Sequence, residues 1–184
     1  MNVRSATDAD APALGRMGVA LARMHHQLDP RRFFLLRDME DGYASWLAKE
    51  AASPRAVVLV AVSGTERRER ILGYTYGRLE GRDWNTLRDP AGVGVDIFVT
   101  PRARRRGVGR MLVDALVAEL ARRGAPQIVI QVAARNDTAT AAFEALGFRR
   151  TMIELARDCE PVTAKRTGRP RSRTTSSRAR PRPG

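Results

Sequence analysis

The stretch most able to do chemistry runs Val99-Thr100-Pro101-Arg102-Ala103-Arg104-Arg105-Arg106-Gly107-Val108-Gly109-Arg110. An apolar run ends at Val99, Pro101 turns the chain, and glycines at 107 and 109 open what reads as a helix. Glycine lets a ligand approach the backbone closely, and the first N–H groups of a helix lack internal acceptors. Arginines at 104, 105, 106 and 110 add charge to the positive end of the helix dipole. Together these features describe an anion site suited to a pyrophosphate. The plainer alternative is a solvated arginine-rich turn before an ordinary helix, and glycine pairs alone do not decide between the two. The chain has no G-x-x-x-x-G-K-[ST] segment. Nor has it a G-x-G-x-x-G on a strand-to-helix turn with an acid about 20 residues on, so both common nucleotide loops are set aside.

Such a turn needs a sheet and helices to hold it. Leu14, Met17, Leu21, Met24 and Leu28 recur at helical spacing between Pro12 and Asp29-Pro30, which predicts an amphipathic helix. A shorter helix is expected at Tyr43–Glu50, with Trp46 and Leu47 on its buried side. Val57–Val62 and Ile71–Leu79 read as a hairpin across the charged turn Gly64–Arg70. Val93–Thr100 is a strand, and Val108, Met111, Leu112, Ala115, Leu116 and Leu120 mark one helical face ended by Gly124-Ala125-Pro126. Ile128–Val132 as strand, Asp137–Leu146 as helix and Phe148–Leu155 as a final strand complete a mixed α/β pattern around one sheet.

The 184 residues suffice for one domain with a substantial core, built from aliphatic residues because aromatics are only 5%. The formal charge of +13 is uneven. Residues 161–184 hold eight Lys or Arg and no acid, leaving 25 cations against 20 acids, about +5, upstream. A domain over 1–158 and a disordered Arg/Pro/Ser-rich tail over 159–184 are expected. Within the tail, Arg169-Pro170 and its basic neighbours are partly similar to an AT-hook core, though Thr167 stands where the first arginine belongs. A solubilising extension and a polyanion or nucleic-acid contact are the two readings. Cys159, the one cysteine, excludes an internal disulfide, and adjacent His25 and His26 give no metal-ligand spacing. Ala56–Val62, the longest apolar run, is too short for a bilayer, and Met1–Asp10 is unlike a signal peptide. A cytoplasmic protein without membrane or metal is expected.

A second segment, Asn136-Asp137-Thr138-Ala139-Thr140-Ala141-Ala142-Phe143-Glu144-Ala145-Leu146-Gly147-Phe148, completes the evidence of the sequence. It is similar to the N-x-x-A-x-x-[LFA]-[YF]-E-x-L-G-F motif of the GNAT acetyltransferases. The V-x-P-x-x-R-x-x-G-x-G arrangement of Val99–Gly109 resembles motif A of the same family, and the likeness covers about residues 1–156. It implies a GNAT fold: one mixed twisted sheet flanked by about four helices, with a splayed central strand pair. The chain is thus expected to carry an acetyl group from acetyl-CoA to a primary amine on a small molecule, a protein N-terminus or a lysine.

By the same resemblance, the backbone of Arg104, Arg105, Arg106, Gly107, Val108, Gly109 and Arg110 would hold the CoA pyrophosphate. Pantetheine would lie between Val95–Val99 and Ile128–Val132, bonded to the backbone of Phe98 and Val99. Asn136 would touch the CoA arm or cap the following helix. Two positions depart from the pattern. Phe143 replaces the tyrosine that often protonates the leaving thiolate, and Val95 stands where many members carry a glutamate base. Asp96, one residue on, is the nearest carboxylate, either as base or as a structural acceptor; Glu80 is the second candidate. His25 and His26, at the end of the first helix, are read as a base or as helix-end decoration. Trp46, Tyr74, Tyr76 and Trp84 either shape an acceptor pocket or belong to the core. A CoA-binding module with weakened transfer, tethered by its tail, is the alternative. The oligomeric state is left open, a homodimer among the options.

Overall fold

The computed structural model describes residues 1–65 and 68–159. Residues 1–149 form one compact unit. Its elements in order are β1 (Asn2–Ser5), α1 (Ala11–Leu28), α2 (Met39–Ala51), β2 (Ala56–Ser63), β3 (Arg70–Glu80), β4 (Ala91–Val99), α3 (Val108–Arg122), β5 (Ile128–Ile130) and α4 (Asp137–Glu144). The five strands make one sheet in chain order, antiparallel from β1 to β4 and parallel between β4 and β5.

The strand sequences explain the layers. Alternation in β2 sends Val58, Val60 and Val62 to one face and Val57, Leu59 and Ala61 to the other. The first face, with Tyr74, Tyr76 and Phe98, packs against Leu14 and Leu21 of α1 and Leu47 of α2. The second packs against Leu112, Leu116 and Leu120 of α3. β2 is therefore buried on both sides, as its continuous apolar run requires.

The strand β1 carries little apolar signal and was not expected. It is held by pairing with β2 and by Arg4, whose guanidinium donates to both Asp10 oxygens at 2.8 and 3.1 Å and fixes the start of α1. Hydrogen bonding to Arg4 holds the Asp10 carboxyl below its ordinary range.

The final strand expected at Phe148–Leu155 is absent: residues 148–159 carry no helix or strand. A strand exists only through its ladder, and apolar residues alone cannot supply one. In the segment 150–159, Met152, Ile153 and Leu155 are exposed. The basic tail from residue 160 onward, and the functions expected of it, lie outside the described residues. No helix among the described residues is long and apolar enough to cross a membrane, and they hold no cluster of metal-ligating side chains.

Candidate functional site

Strands β4 and β5 pair only through Gly92↔Ile128, Val93↔Val129 and Gly94↔Ile130. Beyond Gly94 the two separate, so the second half of β4 keeps only its β3 neighbour. Val132 and Gln131, expected in the strand, fall past its end. The splay expected between these strands is thus present.

Ladder parity decides which backbone groups face the gap. Thr100 N–H donates to Leu72 O at 2.9 Å, with Gly73 opposite Val99 and Tyr74 opposite Phe98. In an antiparallel ladder, hydrogen-bonded pairs alternate with outward-facing ones. Phe98 is therefore bonded to β3, while the backbone of Ile97 and Val99 points into the gap. The Phe98 ring is buried against α1 and α2, not presented to the gap.

At the end of β4 the turn has the features of an anion cradle. A short helical turn at Pro101–Ala103 leads to Arg105 at φ +60° and Gly107 at φ +79°. Positive φ costs an ordinary residue about 1–2 kcal/mol, which explains glycine at 107. From Arg105 to Arg110 no backbone N–H donates to a described protein acceptor; the next donor is Met111, to Gly107 O at 3.0 Å. Six successive N–H groups at the positive end of the helix dipole would be costly if no water or anion met them. Arg104 bonds Val99 O through Nε at 3.1 Å and lies over the Phe98 ring, so it braces the turn. Arg105, Arg106 and Arg110 are exposed.

A bulge sets the other half of the site. Tyr76 pairs with Asp96 and the next residue, Gly77, with Gly94, leaving Val95 as the extra residue. Val95 and Asp96 consequently both lie on the α1/α2 side of the sheet. Val95 is 44% exposed and lines an open cleft of about 360 Å³. Trp46 packs edge-on against Tyr76 at 4.9 Å to form one wall, and Val129 and Gln131 form another. Arg78, Glu80 and Arg88 line the far end, with Glu80 and Arg88 paired at 2.6 Å. Tyr76 donates to Glu50 Oε2 at 2.6 Å, and its hydroxyl pKa is raised, chiefly by burial.

Asp96 sits behind this cleft rather than on its wall. It is 8% exposed and accepts from Tyr74 Oη at 2.8 Å. Burial pushes its carboxyl pKa up, against the lowering effect of the Tyr74 bond. Tyr43, whose hydroxyl is pushed to about 12 by burial and then by the field of Asp96, is close by.

The remaining sequence candidates are placed as follows. Asn136 caps α4, its side chain accepting from Ala139 N–H at 3.1 Å. Phe143 packs edge-on against Phe148 at 5.7 Å. His26 Nδ1 lies 2.7 Å from Phe33 O, and His25 stacks on the Phe33 ring with its pKa lowered by burial. Tyr74 is core, whereas Trp84 is 75% exposed on the β3–β4 loop. Sequence reasoning missed Arg78, Arg88, Gln131 and Glu50. Arg78 could have been found by extending the β3 alternation from Tyr74 and Tyr76, but loop residue Arg88 carried no periodic signal.

Comparisons with known proteins bear on the fold and the family. The family model described as the acetyltransferase (GNAT) family matches residues 21–148. The [ribosomal protein bS18]-alanine N-acetyltransferase of Salmonella typhimurium is 43% identical over 58 residues, covering 32% of this chain and 39% of that one. A mycothiol acetyltransferase of Nocardioides sp. is 28% identical over 111 residues, 57% of this chain and 37% of that one. The chain thus spans about two fifths of the length of these curated relatives. Among solved structures, the BH1408 tetramutant of Bacillus halodurans superposes with a TM-score of 0.71 at 21% identity, covering 85% of this chain and 99% of that one. An aminoglycoside 6'-N-acetyltransferase in complex with CoA does so at 0.61 and 18%, covering 86% and 95%. These likenesses carry the fold, and with the family model matched across both motifs the chain belongs to the GNAT acetyltransferase family.

Proposed function

We propose that this chain transfers an acetyl group from acetyl-CoA to a primary amine by direct attack in a ternary complex. The observation that carries the reading is the run of open N–H groups at residues 105–110, set at the mouth of the β4–β5 gap. A pyrophosphate on that turn would satisfy donors that the protein leaves unmatched. The gap then offers the pantetheine arm the outward-facing backbone of Val99 and Ile97, and leads the thioester to the bulge. The exposed backbone there polarises the thioester carbonyl.

In the reaction the neutral amine nitrogen attacks the thioester carbon, and an oxyanion forms. As it collapses, the C–S bond breaks and the CoA thiolate leaves. The proton shed by the nitrogen passes to a base or to water. We assign that base to Asp96 acting through a water, because its buried position gives it a greater proton affinity than an ordinary carboxylate. Glu80, held by Arg88 at 2.6 Å, is placed to orient the acceptor. Phe143 has no proton to give, so the thiolate departs unprotonated and is neutralised by solvent.

The test is thiol release from acetyl-CoA across a panel of primary amines, with acetyl-CoA affinity measured alongside. Amine-dependent release supports transfer. Tight binding with no turnover on any amine would instead favour a CoA-binding module, the reading that Val95 and Phe143 point towards.

A further inference from the structure

The cleft beside Val95 has a charge pattern that an uncharged amine would not use. Arg78 and Arg88 face one lining carboxylate, Glu80. Glu80 takes Arg88 Nη2, while Arg88 Nη1 is buried without an acceptor among the described residues. Arg78, two residues on from Tyr76 along β3, likewise has its Nε buried without an acceptor among the described residues. Two guanidinium groups at one end of one cleft thus each keep an unmet N–H.

Buried polar groups are almost always paired, and an unpaired one attached to a charge is costly. Two such donors on residues that line one cleft point to an anion there. Arginine's planar fork suits a two-oxygen acceptor. The apolar remainder of the cleft, Trp46, Val93, Val95 and Val129, would hold a short hydrocarbon between that anion and the reacting amine.

We propose that the acceptor is a primary amine that also carries a carboxylate, bound by Arg78 and Arg88 with its amine directed to the bulge. The inference rests on the transferase reading above and adds the substrate class. Arg78 and Arg88 select the acceptor; they take no part in the proton transfer.

The experiment compares kcat/KM for phenylalanine, phenylalaninamide and phenethylamine, and for 4-aminobutyrate and butylamine, each corrected for its fraction of neutral amine. O-phosphoethanolamine is included as a phosphate-bearing amine. The carboxylates should be preferred about tenfold or more, the equivalent of one charge-assisted hydrogen bond. In Arg78→Gln and Arg88→Gln the ratio of acid to matched amine should fall towards one, mainly through KM of the acid. Equal or lower values for the carboxylates in the native protein would overturn the proposal, as would a preference that survives in both variants. A preference for the phosphate over every carboxylate would overturn it too. If no amine is turned over, the transferase reading fails separately. The carboxylate site is then decided by calorimetry with CoA present: N-acetylphenylalanine should bind about tenfold more tightly than its amide, and equal affinity would sink it.

Discussion

Replacing Gly109 by alanine separates the role of the turn from its stability. Gly109 is the second residue of α3, and its backbone is not in the left-handed region. An added Cβ would meet only Val99 Cγ2, at 3.7 Å, an ordinary contact. Alanine is favoured over glycine in a helix interior by about 0.5–1 kcal/mol, and by less in the first turn. Gly109→Ala should therefore leave Tm unchanged or raise it by a few degrees. The same methyl stands among the N–H groups proposed to hold the pyrophosphate. Losing one charge-assisted bond there, worth about 1.5–3 kcal/mol, weakens binding roughly tenfold to a hundredfold. Calorimetry with CoA reads the affinity, and acetyl-pantetheine, which lacks the pyrophosphate, serves as the control. Its binding should not change. Gly109→Ala that binds CoA as tightly as the native protein would refute the placement of the pyrophosphate. Equal loss for CoA and acetyl-pantetheine would refute the separation of turn from gap.

Three further outcomes follow from the same geometry. Burial raises the Asp96 pKa in the folded state, so its ionisation opposes folding; the penalty is absent below the ordinary value of 3.8 and grows as pH rises through the folded pKa. Asp96→Asn, which can still accept from Tyr74, should thus gain stability relative to the native protein as pH rises from about 4. Denaturant unfolding across pH checks this, and a pH-independent difference would count against it. Val95→Glu, at a 44% exposed bulge position, should change stability by no more than about 0.5 kcal/mol. It should raise amine turnover up to about a hundredfold below the pKa of the amine; an unchanged pH–rate profile would show that Val95 does not face the acceptor. Leu116→Ala, at a fully buried site between α3 and the sheet, should cost about 2–5 kcal/mol by thermal or denaturant unfolding.

Most of the fold was legible because its signals are local. The spacing of Leu14, Leu21 and Met24 marks α1, and the β-branched run in β2 marks a strand buried on both faces. The turn at 104–110 was legible for the same reason, since glycine at positive φ and an N-terminal helix boundary leave short-range traces. What stayed hidden depends on partners distant in sequence. Asn2–Ser5 is a strand because β2 accepts it, and Phe148–Leu155 is not one despite its apolar residues. The position of Val95 turned on its being a single extra residue, which no alternation count can place. Arg88 reaches the cleft from an irregular loop, so its role appears only in three dimensions.

The bulge at Val95 has a consequence for how this protein can change over generations. Because the extra residue puts neighbours 95 and 96 on the same side, the strand presents two adjacent addresses for a carboxylate, one open and one enclosed. Neither backbone pairing nor core packing needs to alter when the charge moves from one to the other. A lineage can gain an acid at the open address before it loses the enclosed one, and every intermediate still folds. Loss of a single codon in this stretch is a different matter. Removing Val95 itself would restore strict alternation and leave both halves of β4 in their present register against β3, so it would erase the open address and keep the enclosed one.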